Sequence, residues 1–456
     1  MDKLHSHSLE AIVGLLHMEG EDMLHSQSRK RGSHFSLAEG VKYRRESFGG
    51  IVFLPTTMTS NFFNHSASWA IEQFGLPIEL STVESLLSKM VNTPTEISEL
   101  IHWLIASGII KEFQPSKNQI GRVFFTNITD FSIDRLHVPL GVECELTLRC
   151  MRQCTYCAYE SRPDIRTIGE LREEDWSNLL AQLDECGIFY VRFTGGDPLT
   201  RADAIRILQK ASTLGFGVSI ASDLTVLTAE QAEKLASVEN LLYLQTTLDG
   251  PNPIIADSQR GHGNFHKVIR GLDTLKQFHI PVAVGTVVTK LNAKHIGEIA
   301  TLLSQWDNIV GYCISPLYAA GRGRALKDLI PSEDDLALAY ELFGEAVTKA
   351  VVKPLDPAWN LLAASATSEE RGKFWADQPN LVRSPDRLLR IDPYGRAYTS
   401  IHVKEALGDE IYIGNVLTSS IMELWNNSEI LNKFRALRKS HPYFGDIFDI
   451  RSFQPL

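Results

Sequence analysis

A chain of 456 residues with 44% apolar and 22% charged residues has the composition of a soluble globular protein, and its length predicts two or three domains. The net charge of −10 argues against a general nucleic-acid binder, which presents a basic face. No run approaches the roughly 18 apolar residues of a membrane span, and no membrane association is expected.

Residues 1–33 are polar and rich in His, with one short apolar stretch, Ala11 to Leu16, flanked by acidic residues and followed by no small-residue cleavage site. They read as mature protein, a helix followed by the basic linker Ser28 to Gly32. His5, His7, His17 and His25 read as a solvated helix face rather than a metal site. Residues 34–118 read as a small winged-helix-like α+β domain. Strand-like runs at Val41–Glu46 and Gly50–Phe53 meet at Phe48-Gly49-Gly50, and helical patterns follow at Ser66–Phe74, Thr82–Lys89 and Thr95–Ser107.

Residues 119–327 alternate strand and helix. The strand-like runs are Val142–Leu148, Phe189–Phe193, Val218–Ala221, Leu241–Thr247, Val282–Val288 and Ile309–Ile314. Amphipathic stretches separate them, at Glu170–Glu185, Asp203–Ser212, Ala229–Ala236, Phe265–Phe278 and Ala293–Trp306. The prediction is α/β, a partial (β/α)6 TIM-like barrel whose functional groups gather beyond the C-terminal strand ends. Residues 328–456 form a small C-terminal α+β segment. It opens with a helix, Glu333–Lys349, and continues with a hairpin around Asp392-Pro393-Tyr394-Gly395, a short strand at Ile411–Ile413 and a helix from Ser419 to Arg438.

Six cysteines are unevenly placed, with Cys144, Cys150, Cys154 and Cys157 inside fourteen residues and Cys186 and Cys313 apart. That is a metal-site distribution, not a disulfide framework, and it fits a reducing cytoplasm. Thiolates at Cys150, Cys154 and Cys157 can hold three corners of an iron–sulfur cubane and leave one iron open for chemistry. A structural zinc site is the competing reading, but zinc prefers paired C-x2-C units with four ligands, and no second pair exists.

Cys150-x3-Cys154-x-Tyr156-Cys157 after the first strand of a βα series resembles the radical S-adenosylmethionine (SAM) superfamily. The resemblance implies one 4Fe–4S cluster on these cysteines, chelation of the SAM amino and carboxylate groups at the open iron, and a 5′-deoxyadenosyl radical that takes a hydrogen atom from substrate. Phe193-Thr194-Gly195-Gly196-Asp197-Pro198 looks like the family's GGE-type motif, with glycines admitting the SAM amino group and Asp197 accepting from it. Ser222-Asp223 stands where relatives show Thr-Asn-Gly, a departure. Thr247-Leu248-Asp249-Gly250 resembles Ser-Leu-Asp-Gly of peptide-modifying relatives, and Thr247 and Asp249 are the expected ribose or carboxylate contacts. Asp257, Arg260-Gly261, Phe265 and Thr289-Lys290-Leu291-Asn292 continue the likeness, with Asp257 and Arg260 read equally as a buried ion pair.

The flanks carry weaker likenesses. Tyr43 to Ile51, Asn64-x-x-Ala67 and Leu104-x3-Gly108-Ile109-Ile110 resemble PqqD-like peptide-recognition domains, which bind a precursor's leader as an added strand closed against a helix. Arg44 and Arg45 are candidates to meet acidic leader residues. Leu389 to Tyr398, Tyr412 to Val416 and Glu423-Leu424-Trp425 resemble a SPASM domain, yet no cysteine follows Cys313 and Ser400 stands at a ligand position. Auxiliary clusters are therefore expected to be absent. Cys313, near the end of the sixth strand, could donate a hydrogen atom as epimerisation requires, or be a buried packing residue. Cys144 and Cys186 read as packing.

Together these imply a cytoplasmic radical SAM maturase of a ribosomal precursor peptide, reduced by a donor such as flavodoxin or ferredoxin. Epimerisation, cross-linking and backbone rearrangement all stay open. The alternatives are an enzyme of small-molecule cofactor biosynthesis and a catalytically silent peptide-binding subunit.

Overall fold

The computed structural model describes residues 33–54, 59–89, 94–115, 119–125, 136–317, 319–355, 388–399 and 408–440. The expected N-terminal helix with its His residues, and Ser400, lie outside them. The chain forms two compact units, meeting in sequence between Asp134 and Arg135.

In the first unit, β1 (His34–Leu37) lies between β5 (Ile78–Glu79) and β6 (Ile110–Glu112). A second sheet has the order β4-β3-β2-β7, from β2 (Lys42–Glu46), β3 (Gly49–Leu54), β4 (Thr59–Phe63) and β7 (Arg122–Phe124). Helices α1 (His65–Gln73), α2 (Leu80–Leu87) and α3 (Pro94–Ala106) complete the unit. The tight β2–β3 turn needs Gly49, whose φ of +137 and contact with the Phe63 carbonyl exclude a side chain. Asn64 starts α1, accepting from the Ala67 amide. Tyr43, Val52, Ile71, Phe74, Val83 and Leu104 form the core. The sequence reading missed β4, and it placed Arg122–Phe124 with the barrel, whereas this strand pairs with β2.

The second unit is one nine-stranded sheet of order β13-β12-β11-β10-β9-β8-β14-β15-β16. Six strands run parallel in sequence order: β8 (Gly141–Thr147), β9 (Tyr190–Gly195), β10 (Gly217–Ala221), β11 (Leu241–Thr247), β12 (Val282–Val288) and β13 (Ile309–Pro316). Their crossovers carry α4 (Glu173–Glu185), α5 (Ala204–Thr213), α6 (Ala229–Ala236), α7 (Pro253–Arg260) with α8 (Asn264–Gln277), and α9 (Ile296–Leu303); α10 (Glu333–Thr348) follows β13. This is the expected partial barrel. The sequence reading had missed α7, although Asn252-Pro253 is a cap followed by an N1 proline.

The C-terminal hairpin is not a separate layer. β14 (Leu388–Ile391) pairs in parallel with β8 and extends the barrel wall by one strand. β15 (Arg396–Tyr398) and β16 (Gly414–Asn415) continue it antiparallel. The strand expected at Ile411–Ile413 is a 3-10 turn ending at Ile411, and Ser428 divides the last expected helix into α11 (Ile421–Asn427) and α12 (Glu429–Ser440).

Burial along the strands shows which face is packed. Phe193, Ile220, Leu244, Val284 and Ile314 are buried, while their neighbours Arg192, Gln245, Thr247, Cys313 and Ser315 are half-buried. One face of the wall is packed throughout, while the inner face, around the barrel hollow, mixes these half-buried residues with buried Glu143, Thr194, Ser219 and Ala283.

Candidate active site

The β8 strand runs into the cysteine loop. Glu170 fixes its end, accepting from the Thr147 hydroxyl at 2.8 Å and the Leu148 amide at 3.2 Å. Arg201 adds donors to the Leu146 and Leu171 carbonyls at 2.7 and 3.0 Å. The loop is then held from three sides. Thr155 donates its amide to the Gln259 carbonyl at the end of α7, 3.0 Å away. Arg322, after β13, donates its amide to the Cys157 carbonyl at 3.1 Å and its Nε to the Cys154 carbonyl at 2.8 Å. Asp223, after β10, lies 3.8 Å from Cys150 Sγ. Gly321 makes the Arg322 approach possible, since a Cβ there would meet the Cys157 carbonyl oxygen at 2.6 Å. Sequence reading overlooked Glu170, Arg201, Gln259 and Arg322; the Gly321-Arg322-Gly323-Arg324 run beyond a strand end was the available signal for the last.

Cys150 and Cys154 are buried and Cys157 is half-buried. Burial pushes the Cys150 and Cys154 thiols up, and the Asp223 carboxylate adds to the shift at Cys150. Among the described residues, no three His, Cys, Asp or Glu side chains converge as one mononuclear ion requires. A cubane presents separate irons to its cysteines, so three thiolates holding one need not share a focus.

The Gly195-Gly196-Asp197 turn serves packing first. A Cβ on Gly195 would lie 2.1 Å from the Thr147 carbonyl oxygen and one on Gly196 would lie 2.2 Å from that of Arg149. The glycines therefore let the turn dock on the end of β8, where Gly196 and Asp197 donate their amides to those same carbonyls at 2.6 and 2.8 Å. Asp197 is likewise engaged inside the protein. One oxygen accepts from the Leu199 amide at 3.0 Å, and the other from the Ser222 hydroxyl at 3.0 Å and the Asp223 amide at 3.2 Å. Burial and the neighbouring Asp223 hold its carboxyl well above the usual range. Thr194 is buried one residue before the turn.

Asp249 is fully buried. Its carboxylate accepts from the Val287 amide at 2.8 Å, from the Tyr156 hydroxyl, and from Arg260 at 3.4 Å. Arg260 also donates to the Tyr156 hydroxyl at 2.7 Å. Arg260 therefore pairs with Asp249, not with Asp257, which caps α8 by accepting the Gly263 and Phe265 amides at 2.7 and 2.8 Å. Thr289 and Asn292 support this knot: Asn292 donates to the Asp249 carbonyl at 3.0 Å and Thr289 to Gln259 at 2.9 Å. Thr247 stays half-buried on the hollow face, in register with Gly285 and Cys313.

In the first unit, Arg44 is not available to a ligand: it is fully buried and bonded to Glu46 at 2.7 Å. Arg45 is part-exposed and paired with Glu72.

Comparison with known proteins agrees with this geometry. Residues 144–303 match the Radical SAM superfamily. Mycofactocin maturase MftC of Mycobacterium tuberculosis is 27% identical over 306 residues, 66% of this chain and 73% of that protein. PqqA peptide cyclase of Bradyrhizobium diazoefficiens is 30% identical over 310 residues, 65% of this chain and 76% of that protein. The chain belongs to the radical SAM peptide-maturase family. Its fold is shared with Streptococcus suis SuiB, solved bound to the precursor peptide SuiA, with a TM-score of 0.65 at 14% identity over 88% of this chain and 90% of SuiB.

The chain is thus a radical SAM enzyme, and the family implies SAM and an iron–sulfur cluster. The residues present fit such a group. Arg152, Arg260 and Arg322 each bear a buried guanidinium nitrogen with no partner among the described residues, and all three touch the cysteine loop or the residues supporting it. Three arginines with spare buried donors on a loop of three thiols suit an anionic cluster with a carboxylate ligand beside it. Among the described residues, no helix is long and apolar enough to cross a membrane.

Proposed function

We propose that the enzyme modifies a ribosomally made precursor peptide, using one 4Fe–4S cluster on Cys150, Cys154 and Cys157 with SAM beside it. The observation that carries this reading is the cysteine loop bonded by Arg152, Arg260 and Arg322, each of which keeps one buried nitrogen without a partner among the described residues. When bound, cluster and SAM supply a carbon radical able to take a hydrogen atom from a C–H bond.

The protein's own residues position and shield that chemistry. Tyr156, Asp249 and Arg260 form one buried knot that ties the cysteine loop to the end of β11. Asp197 and Ser222 lock the β9 and β10 turns together. Thr194 and Thr247 put hydroxyls near the strand ends, where SAM is expected. Cys313 lines the hollow in the layer of Thr247 and serves as hydrogen-atom donor to the substrate carbon, favouring epimerisation over cross-linking. The N-terminal unit captures the leader as a strand on the outer edge of β4, which has no strand partner among the described residues. An external flavodoxin- or ferredoxin-type donor supplies electrons in the cytoplasm. With no cysteine after Cys313, the C-terminal segment holds no auxiliary cluster.

The test is anaerobic reconstitution of wild type and Cys154→Ala. About four iron per chain, and SAM cleavage after reduction by wild type only, support the reading. Eight or more iron refutes the absence of auxiliary clusters. No cleavage by wild type refutes the enzyme as drawn. Co-expression with short peptides encoded beside the gene, read by mass and chiral amino-acid analysis, then tests the substrate.

A further inference from the structure

TIM-type barrels fill their interior with side chains, and on the inner face of this wall two side-chain atoms shielded from solvent have no hydrogen-bond partner among the described residues. They are Arg192 Nε on β9 and Gln245 Oε1 on β11. Strand register places them on one concave wall: Arg192 is level with Ser219, and Gln245 is level with Ala221, one inward-facing layer nearer the strand ends. Two strand spacings and a two-residue offset along the strands, together roughly 12 Å, separate their backbones. Glu143, beside Arg192 in register, is taken by Arg390 on its other side at 2.8 Å, so it does not satisfy Arg192.

The floor beside Gln245 is kept low by Gly285. A Cβ at that position would lie 3.4 Å from Gln245 Nε2 and 3.7 Å from Cys313 Sγ, so the two side-chain ends face the same small space. A buried donor and a buried acceptor left unmade each cost about 1–3 kcal/mol. Each such atom in a native structure calls for an explanation, and one ligand group that completes both would supply it.

We propose that Arg192 and Gln245 form an amide-reading subsite in the barrel hollow, which holds one amide of the substrate peptide beside the Cys313 thiol. Arg192 Nε donates to the amide oxygen, and Gln245 Oε1 accepts an amide N–H. An amide supplies both partners at once; a carboxylate has no proton for Gln245, and an aliphatic side chain satisfies neither. The amide comes either from an Asn or Gln side chain or from the peptide backbone. The choice of a peptide as occupant rests on the proposed function.

The test uses saturation-transfer NMR on the full chain under nitrogen, with the N-acetyl N′-methylamides of Asn, Gln, Ala and Asp as probes. Wild type is expected to bind the amide probes, with affinity falling about tenfold in Arg192→Met and in Gln245→Leu. Gln245→Glu keeps both the shape and the acceptor and is expected to retain binding, so loss in Gln245→Leu but not in Gln245→Glu assigns the effect to the acceptor rather than to misfolding, and loss in both overturns the acceptor role. Preference for Asn and Gln over Ala assigns the side-chain amide; equal binding of the three, lost in the variants, assigns the backbone. Tightest binding of the Asp probe, or binding indifferent to both positions, overturns the subsite. So does an equal loss of SAM affinity in the reconstituted variants, which would give these atoms to SAM. Probe binding needs no catalysis. Amide binding by a chain that modifies no peptide would therefore sink the proposed function alone, and peptide modification without amide dependence would sink the subsite alone.

Discussion

The hydroxyl of Tyr398 donates to the carboxyl of Glu145, joining the C-terminal hairpin to the first barrel strand. The two residues stand 253 positions apart in the chain, and both are buried. Arg390 continues the seam, donating to Glu143 and to the Tyr159 hydroxyl, each at 2.8 Å. The hairpin thus meets the barrel through a buried polar network, where each partner depends on the others for satisfaction.

That network makes stability pH-dependent. Burial pushes the Glu145 carboxyl up to about 7 from 4.5, outweighing the hydrogen bond from Tyr398 and the charge of Arg390. A raised folded value means the folded state holds its proton more tightly than the unfolded chain. The contribution is full below about 4.5 and lost as pH climbs through about 7. The shift corresponds to roughly 3 kcal/mol. Glu145→Gln keeps an acceptor for Tyr398 and removes the titration. Its melting temperature should therefore change less than that of wild type across this window, as scanning fluorimetry of the apoprotein would show; parallel curves would refute the assignment.

Arg390 and Glu143 provide a second test of the seam. Removing one partner of a buried ion pair leaves the other charge uncompensated, at about 3–5 kcal/mol, whereas removing both costs much less. Arg390→Met should lower stability sharply, and Glu143→Gln in the same chain should recover part of the loss. A double-mutant cycle by urea unfolding measures the coupling. An additive result would mean that the hairpin is not anchored through this pair.

Much of this was legible before the fold was known, because the signals were local. Leu241–Thr247 and Val282–Val288 are continuous β-rich runs and form strands with those bounds. The cysteine spacing and Gly195-Gly196 stood out because thiolate ligation and backbone contact tolerate few residue types. What escaped was set by distant partners. Nothing near Arg260 in sequence says that its carboxylate is Asp249 rather than Asp257. Nothing near Leu388 says that its strand will pair with Gly141 in the barrel wall. β4 escaped because Thr59-Ser60-Asn61 is polar, and a strand at the edge of a sheet needs no apolar run.

The Tyr156 hydroxyl is the test of the knot below the cysteine loop. Tyr156→Phe keeps the ring but removes the donor to Asp249 and the acceptor for Arg260. Arg260, already short of one partner at Nε, would lose another and shift. Iron content should stay at the wild-type value while SAM binds about tenfold more weakly, a loss on the scale of one buried hydrogen bond left unmade. Equilibrium binding of SAM to reconstituted protein decides it, and unchanged affinity would show that the knot is structural alone.

Under the proposed function, Cys313 decides the choice of reaction. Its thiol lies on the hollow wall, level with Thr247, where a substrate carbon would sit below the strand ends. Hydrogen-atom transfer from the thiol would form the new C–H bond, break S–H, and leave a sulfur radical that regains one electron from the external donor and one proton from solvent. A thiol proton exchanges with water, so turnover in deuterium oxide should place one deuterium at the modified carbon. Cys313→Ala should still consume SAM in the presence of peptide, yet give peptide without inverted residues, read by chiral analysis after hydrolysis. Inversion at the wild-type rate in this variant, or inverted product without deuterium, would remove Cys313 from the chemistry and leave it a packing residue of the wall.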